Sequence, residues 1–158
     1  LICSACNFLD NDLEKVVTDI GLSISYTPVK VDICYNASLL AGESFAILYK
    51  ITGNIKYRIM AIRIVDFVIS KQYDDGHWNY SLDIKTKEER KQIDFHQGYI
   101  LESLYEIKEK LGIVNKKWET SIKKGLKFYI EQQFDKDGWS YWRLPQKYPI
   151  AHKFLAYH

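Results

Sequence analysis

Apolar residues recur at helical spacing from Asn36 to Phe134, and that pattern predicts most of the fold. Residues 36–51 carry only Glu43 and Lys50 as charges and are apolar almost all round, as an interior helix is. Thr52-Gly53-Asn54 stops this helix, with Gly53 suited to a left-handed cap. Residues 55–72 place Lys56, Arg63, Asp66 and Ser70 on one side and Ile59, Ile62, Val65 and Ile69 on the other, which predicts an amphipathic outer helix. The pair then recurs. Residues 95–111 carry the stripe Ile100, Leu104, Ile107, Leu111 and end at Gly112, after which Trp118, Ile122, Leu126 and Tyr129 define the apolar face of a Lys-rich helix. Antiparallel hairpins are therefore predicted, pairing 36–52 with 55–72 and 94–112 with 115–134, in an all-α fold. Ahead of them, residues 2–9 read as a helix extending toward Val17, and Tyr26-Thr27-Pro28 marks an extended stretch.

Long loops, 73–93 and 135–150, separate these pairs, and they repeat. Gln72-Tyr73-Asp74-Asp75-Gly76-His77-Trp78-Asn79-Tyr80 returns as Gln133-Phe134-Asp135-Lys136-Asp137-Gly138-Trp139-Ser140-Tyr141. The physics of the loop is legible. Glycine permits the positive φ of a tight turn, aspartate suits the position before it, and tryptophan is placed to plug the junction between successive hairpins.

The 158 residues suffice for one domain, and 1–158 is read as a single one. No stretch free of Asp, Glu, Lys and Arg exceeds ten residues, too short for a membrane span. A formal charge of +2 argues against a nucleic-acid partner, since Lys116, Lys117, Lys123, Lys124 and Lys127 read as the solvated face of a helix. Cys3 and Cys6 form a lone C-x-x-C with no second pair to complete a zinc set, and Cys34 stands apart, so no metal is expected. No phosphate loop, nucleophile elbow or dinucleotide fingerprint appears, and no cofactor is expected. The chain begins at Leu1 with no signal-peptide pattern, which makes a cytoplasmic location the default expectation. Phe, Trp and Tyr make up 15% of the chain, twelve of them Tyr, a side chain that both stacks on a ligand and hydrogen-bonds it.

The repeated hairpins and Gln72 to Trp78 resemble the α/α-toroid superfamily, which includes terpene cyclases with their QW repeat, protein prenyltransferases, six-hairpin glycosidases, unsaturated-glycuronyl hydrolases and sugar epimerases. Tyr26-Thr27-Pro28, Tyr35 to Leu40, Gln72 to Tyr80, Ile93 to Tyr99 and Tyr148-Pro149-Ile150 are similar to a poorly characterised bacterial family linked to polysaccharide biosynthesis. The resemblance covers roughly residues 20–150. It implies inner helices around an axis, outer helices around them, and a carbohydrate ligand, a polysaccharide or a sugar containing uronic acid. A closed ring of six hairpins at roughly 60 residues each needs about twice this length. The chain then corresponds to a partial ring, either lacking its C-terminal half or forming an open arc that closes as a homodimer.

In such a ring the loops leading into inner helices converge, which brings Tyr35-Asn36 beside Asp94-Phe95-His96 at equivalent helix starts. Asn36 and Asp94 read either as helix caps or as ligand-facing groups, and His96 either as a hydrogen-bonded core residue or as a proton-transfer group. Sugar hydrolysis commonly uses two carboxyl groups. Asp74, Asp75, Asp135 and Asp137 belong to the repeated turn and read as structural, which leaves Asp94 and Asp32. The expected catalytic pair is His96 with Asp94, the aspartate orienting the imidazole from the entering loop. Tyr35, Asn36, Trp78, Tyr80 and Tyr141 are the expected substrate-binding residues, although Trp78 and Trp139 fit the hairpin junction equally well. A non-catalytic helical-repeat module that binds a protein partner is the alternative. A terpenoid cyclase is third, because Asp74-Asp75 does not make a D-x-D-D acid motif, and Cys34 with His96 does not make a prenyltransferase zinc set.

Overall fold

The computed structural model describes residues 2–29 and 32–147, and the Tyr148-Pro149-Ile150 motif lies outside them. The described residues form five helices: α1 (Ile2–Asn11), α2 (Tyr35–Thr52), α3 (Ile55–Ile69), α4 (His96–Leu111) and α5 (Lys116–Gln132). Helix α2 packs on α3 and, on another side, on α4, which in turn packs on α5. The two hairpins therefore lie side by side with α2 and α4 inward. Leu39, Phe45, Ala61, Ile64, Val65, Ile100, Leu104 and Ile107 fill the space among them. Gly53 and Gly112 close the inner helices at φ 69° and 61°, a left-handed conformation that satisfies orphan carbonyls at a helix end. Asn54 and Asn115 start the outer helices, their side chains accepting hydrogen bonds from the backbone of Lys56 and of Lys117 and Trp118.

The fold is not all-α. Residues 12–24 turn back on themselves as β1 (Lys15–Val17) and β2 (Leu22–Ile24), so the helix expected to extend toward Val17 stops at Asn11. A second, three-stranded sheet joins β3 (Asp32–Cys34), β4 (Ser81–Asp83) and β5 (Glu89–Arg90), all antiparallel. It ties the segment just before α2 to the loop that follows α3, with Cys34 opposite Ser81 and Asp32 opposite Asp83.

Two helix faces also differ from the periodic reading. Ile59 and Leu126 are exposed, while α3 buries Met60, Ala61, Ile64, Val65 and Val68, and α5 buries Trp118, Ser121, Gly125 and Phe128. The expected polar side of α3 is likewise packed. Arg63 donates to the carbonyls of Thr18 and Gly21 on the β1–β2 hairpin, and Asp66 accepts the Trp118 indole N–H at 2.8 Å. Helix α2 is not buried all round, since Leu40, Ile47 and Ile51 face outward along one side.

The first repeat loop is the junction between the hairpins. Trp78 is 0% exposed, donates its indole N–H to the Val68 carbonyl at 2.9 Å, and exchanges backbone hydrogen bonds with the Gln97 side chain. Its ring rests on Gly125, where a Cβ would stand 2.7 Å from Trp78 Cζ3. Gln72 donates to the Ser121 carbonyl and accepts from the Ser121 hydroxyl, fastening the loop to α5. Gly76, at φ 107°, sits so close to α5 that a Cβ would overlap the Lys124 carbonyl oxygen. Both the dihedral angle and the contact demand glycine there.

Candidate functional site

The starts of α2 and α4 meet through the loop between the hairpins. Strand β4 emerges from Tyr80, whose carbonyl accepts the Tyr35 N–H and whose own N–H donates to Arg90. The Tyr80 ring then stands edge-on against the His96 imidazole, with centroids 4.8 Å apart and planes at 85°. Phe95 stacks on His96 at 4.2 Å, and Tyr99 approaches at 6.2 Å. His96 thus lies in an aromatic setting, its side chain 18% accessible to solvent.

Asp94 holds that imidazole. Its Oδ1 lies 2.6 Å from His96 Nδ1 and also accepts the His96 backbone N–H at 3.1 Å, while Oδ2 accepts from the Gln92 amide at 2.5 Å. Asp94 therefore satisfies the first N–H of α4 from one residue ahead of the Phe95 cap and fixes the imidazole at once. Burial works against its charge, yet the hydrogen bonds from the His96 ring, Gln92 and the His96 backbone outweigh that cost and hold the carboxyl below the usual aspartate range. An ionised carboxylate on Nδ1 keeps the proton there, which leaves Nε2 as the basic atom of the neutral ring. Arg143 bridges to the Asp94 backbone, and Leu144 donates to the Ile93 carbonyl, so the second repeat loop closes over this segment.

The expected residues divide into two groups. Tyr35, Asn36, Tyr80, Asp94 and His96 form one connected patch, although about 60 positions separate its ends. Asn36 is not a cap, because α2 begins one residue earlier. Its Oδ1 accepts instead from the Cys34 thiol at 2.9 Å, and Cys34 is hydrogen-bonded to Tyr80. Burial and the neighbouring Cys34 push the Tyr80 hydroxyl up to about 12, so it remains a neutral donor. Trp78 is a correction. Its ring is wholly enclosed by α3, α4 and α5 and presents no face to a sugar. Tyr35 is also a correction as a substrate contact, since it is 0% exposed and its hydroxyl is committed to Glu89. Tyr141 is half-buried in the second loop, where its N–H donates to the Gln133 carbonyl. Among the described residues, no group of three or more His, Cys, Asp or Glu side chains is placed to hold a metal ion.

Glu89 is the residue that the sequence did not single out. One oxygen accepts the Tyr35 hydroxyl at 2.7 Å, and the other accepts Tyr73 at 2.7 Å and Asn79 at 2.6 Å. Burial opposes its charge, but these hydrogen bonds, with Lys71 nearby, hold it below the usual glutamate range. It borders a cleft of about 360 Å³ lined by Ser70, Lys71, Gln72, Tyr73 and Asp74. The only sequence signal was a Glu next to a β5 arginine in a run of charges, which ordinarily marks solvent.

Both carboxyls lie lower folded than unfolded, so each contributes stability that is complete above its unfolded pKa and is lost as pH falls through the folded one. The urea midpoint is expected to hold from neutrality to about pH 5 and to drop below about pH 4, with Asp10, Asp75 and Asp135 adding to the slope. Asp94→Asn and Glu89→Gln should each flatten that acid limb. An acid limb as steep as the parent's in both variants would contradict this assignment.

Two helical hairpins packed side by side, with Trp78 of the connecting loop plugging the junction, give the chain the fold of part of an α/α toroid. A cellobiose 2-epimerase from Bacillus thermoamylovorans B4167 superposes with a TM-score of 0.70 at 16% identity, over 89% of this chain and 38% of that one. A sugar epimerase from a ruminal bacterium gives 0.66 at 16% identity with the same coverages. A family 10 polysaccharide lyase from Cellvibrio cellulosa gives 0.51 at 18% identity, over 80% of this chain and 38% of that one. The chain therefore spans 38% of the length of each. No protein-family model and no curated protein sequence matches it. Among the described residues, no helix is long and apolar enough to cross a membrane.

Proposed function

We propose that this chain is the sugar-binding portion of a carbohydrate-active α/α-toroid protein, and that the saccharide sits against His96 at the start of α4. The observation that carries the reading is the Asp94–His96 pair, a buried carboxylate 2.6 Å from Nδ1 of an aromatic-walled and partly accessible imidazole. That arrangement leaves Nε2 to accept a hydrogen bond or a proton from a sugar carbon or hydroxyl. Tyr80 and Phe95 supply the apolar ring faces on which pyranose C–H bonds pack. Arg90 lies over the Tyr80 ring at 4.9 Å and is the cation that a uronate carboxylate meets beside this site. The likeness to two sugar epimerases and a polysaccharide lyase supports the substrate class, as does the convergence of polar groups with aromatic rings.

The test is a thermal-shift and calorimetric screen against cellobiose, glucuronic acid and bacterial uronate oligosaccharides, followed by His96→Ala on any ligand found. Loss of a buried imidazole hydrogen bond to the ligand should weaken binding by roughly tenfold or more. Asp94→Asn should shift the pH dependence of binding, because the carboxylate no longer fixes the tautomer. Unchanged affinity in both variants, with only stability lost, would make His96 a core histidine and sink the reading.

A second reading rests on the outward stripe of Leu40, Ile47 and Ile51 along α2, which suits a helical-repeat module binding a protein partner. Under that reading Ile47→Glu abolishes partner capture and leaves the saccharide affinities untouched.

A further inference from the structure

The chain has four arginines, and they are of two kinds. Arg58 and Arg63, both on α3, are tied to the backbone. Arg58 donates to the Leu111 carbonyl, and Arg63 to the carbonyls of Thr18 and Gly21. Arg90 and Arg143 are not tied. Among the described residues neither guanidinium makes a hydrogen bond or an ion pair, and each lies over an aromatic ring, Arg90 over Tyr80 at 4.9 Å and Arg143 over Trp142 at 4.7 Å. A guanidinium stacked in this way holds its planar fork of donors in one orientation, ready to meet a carboxylate with two parallel hydrogen bonds.

Both untied arginines flank the imidazole. Tyr80 stands edge-on to His96, so Arg90 is one ring beyond it. Arg143 lies opposite Asp94 in an antiparallel bridge. Residues opposite one another in such a pair project to the same face, so the Arg143 side chain leaves the backbone on the side that carries the Asp94 carboxylate. That carboxylate does not neutralise it, because Oδ1 is taken by His96 and Oδ2 by Gln92. Glu89, the other carboxylate of this region, is committed to Tyr35, Tyr73 and Asn79. An unpaired charge costs little at the surface, where Arg90 is exposed. Arg143 is half-buried, and its Nε is sealed from solvent with no acceptor among the described residues. The fold itself does not ask for a charge there. Four residues after the repeat tryptophan, where the second loop has Arg143, the first has Leu82, which packs on the core.

We infer that Arg143 and Arg90 are the two anion contacts of one ligand, a saccharide with carboxylates on successive sugar residues, held with a pyranose against His96 and the Tyr80 and Phe95 rings. One cation is reached through Tyr80 and the other through Asp94, and a single hexuronate has only one carboxylate to offer. Two acidic residues in a row satisfy both forks. The inference rests on the saccharide reading of this site and narrows its ligand to an oligouronate.

The test compares digalacturonate with its dimethyl ester, which removes both charges and keeps both sugars, by calorimetry. The parent should prefer the acid, and the preference should shrink as salt rises. Arg143→Gln should cut that preference roughly tenfold, the worth of one charge-assisted pair of hydrogen bonds. Arg143→Lys keeps the charge without the fork and should recover only part of it. Arg90→Gln should act in the same direction, and the double variant should bind acid and ester alike. The urea midpoint of Arg143→Gln should stay close to the parent's, since no hydrogen bond within the chain is broken. A clear drop would reveal an internal partner and overturn the inference. A parent that binds acid and ester equally, or an Arg143→Gln variant that keeps the full preference, overturns it as well and leaves the saccharide site standing. If neither digalacturonate, its ester nor any sugar of the screen binds, the saccharide reading falls and the inference with it. Glucose bisphosphate bound through Arg143, with digalacturonate refused, would overturn the choice of carboxylate and assign the two cations to phosphate.

Discussion

Replacing Trp78 with Ala is expected to destabilise the chain by about 3–5 kcal/mol, the cost of emptying a large aromatic site in a packed interior. The side chain is 0% exposed and touches α5 at Gly125 while bonding α3 through the Val68 carbonyl. Gly125 has no side chain to fill the gap, and Gln97 is held by the Trp78 backbone. At roughly 2–4 °C per kcal/mol for a chain of this size, thermal unfolding should move down by about 6–20 °C. Trp78→Phe keeps most of the ring and removes the indole donor from the Val68 carbonyl, which still accepts the Lys71 N–H at 3.0 Å, a loss of about 0.5–1.5 kcal/mol. Circular dichroism melts of the two variants check this. A shift under about 2 °C for Trp78→Ala would mean that the first repeat loop does not hold the hairpins together.

The second large effect is expected at Glu89. Glu89→Leu strands the Tyr35 hydroxyl inside the protein and deprives Tyr73 and Asn79 of their acceptor. Leaving such buried donors unpaired costs about 1–3 kcal/mol each, so the loss should reach roughly 2–4 kcal/mol after water has reached the more exposed Tyr73. Glu89→Gln retains an acceptor for Tyr35 and should lose less than half as much. Since Glu89 is the end of the sheet that positions Tyr80 against His96, Glu89→Leu should also weaken any saccharide bound there. Urea titration of both variants, with calorimetry on a ligand from the screen, separates the two consequences. Equal midpoints for Glu89→Leu and the parent would show that the tyrosine hydroxyls find water instead.

Much of this architecture is readable in the sequence, because helices advertise themselves by period and punctuation. Gly53 and Gly112 end the inner helices where the apolar stripes stop, and Asn54 and Asn115 begin the outer ones. The helix faces were less legible. Hydrophobic periodicity points Leu126 and Ile59 inward, but α5 and α3 approach their neighbours through Ser121, Gly125 and Ala61. Small residues let backbones close up, and that turns the bulkier side chains outward. The strands had no period to show, being two or three residues long and paired across distant segments. Asp94 and His96 could be placed together because an aspartate two residues before a histidine at a helix start has one obvious way to reach it. Trp78 was ambiguous, and burial decides it as a junction residue. Glu89 was invisible for the opposite reason: its partners, Tyr35 and Tyr73, come from other parts of the chain, and its own neighbours are Glu88, Arg90 and Lys91.

The pairing of β3 with β4 also orders the events by which this chain acquires a site. Helix α2 meets α3 across a turn of two residues, and α4 meets α5 across a similarly short connection, so both contacts close small loops at little entropic cost. Asp32 can meet Asp83, and Tyr35 can meet Glu89, only after some fifty intervening residues have been drawn in. The helical pairs are thus the fast part of the molecule and the Tyr35–Tyr80–His96 patch is the slow part. A chain newly collapsed should hold its hairpins first and the β3–β4 pairing, with the Tyr80–His96 contact beside it, last.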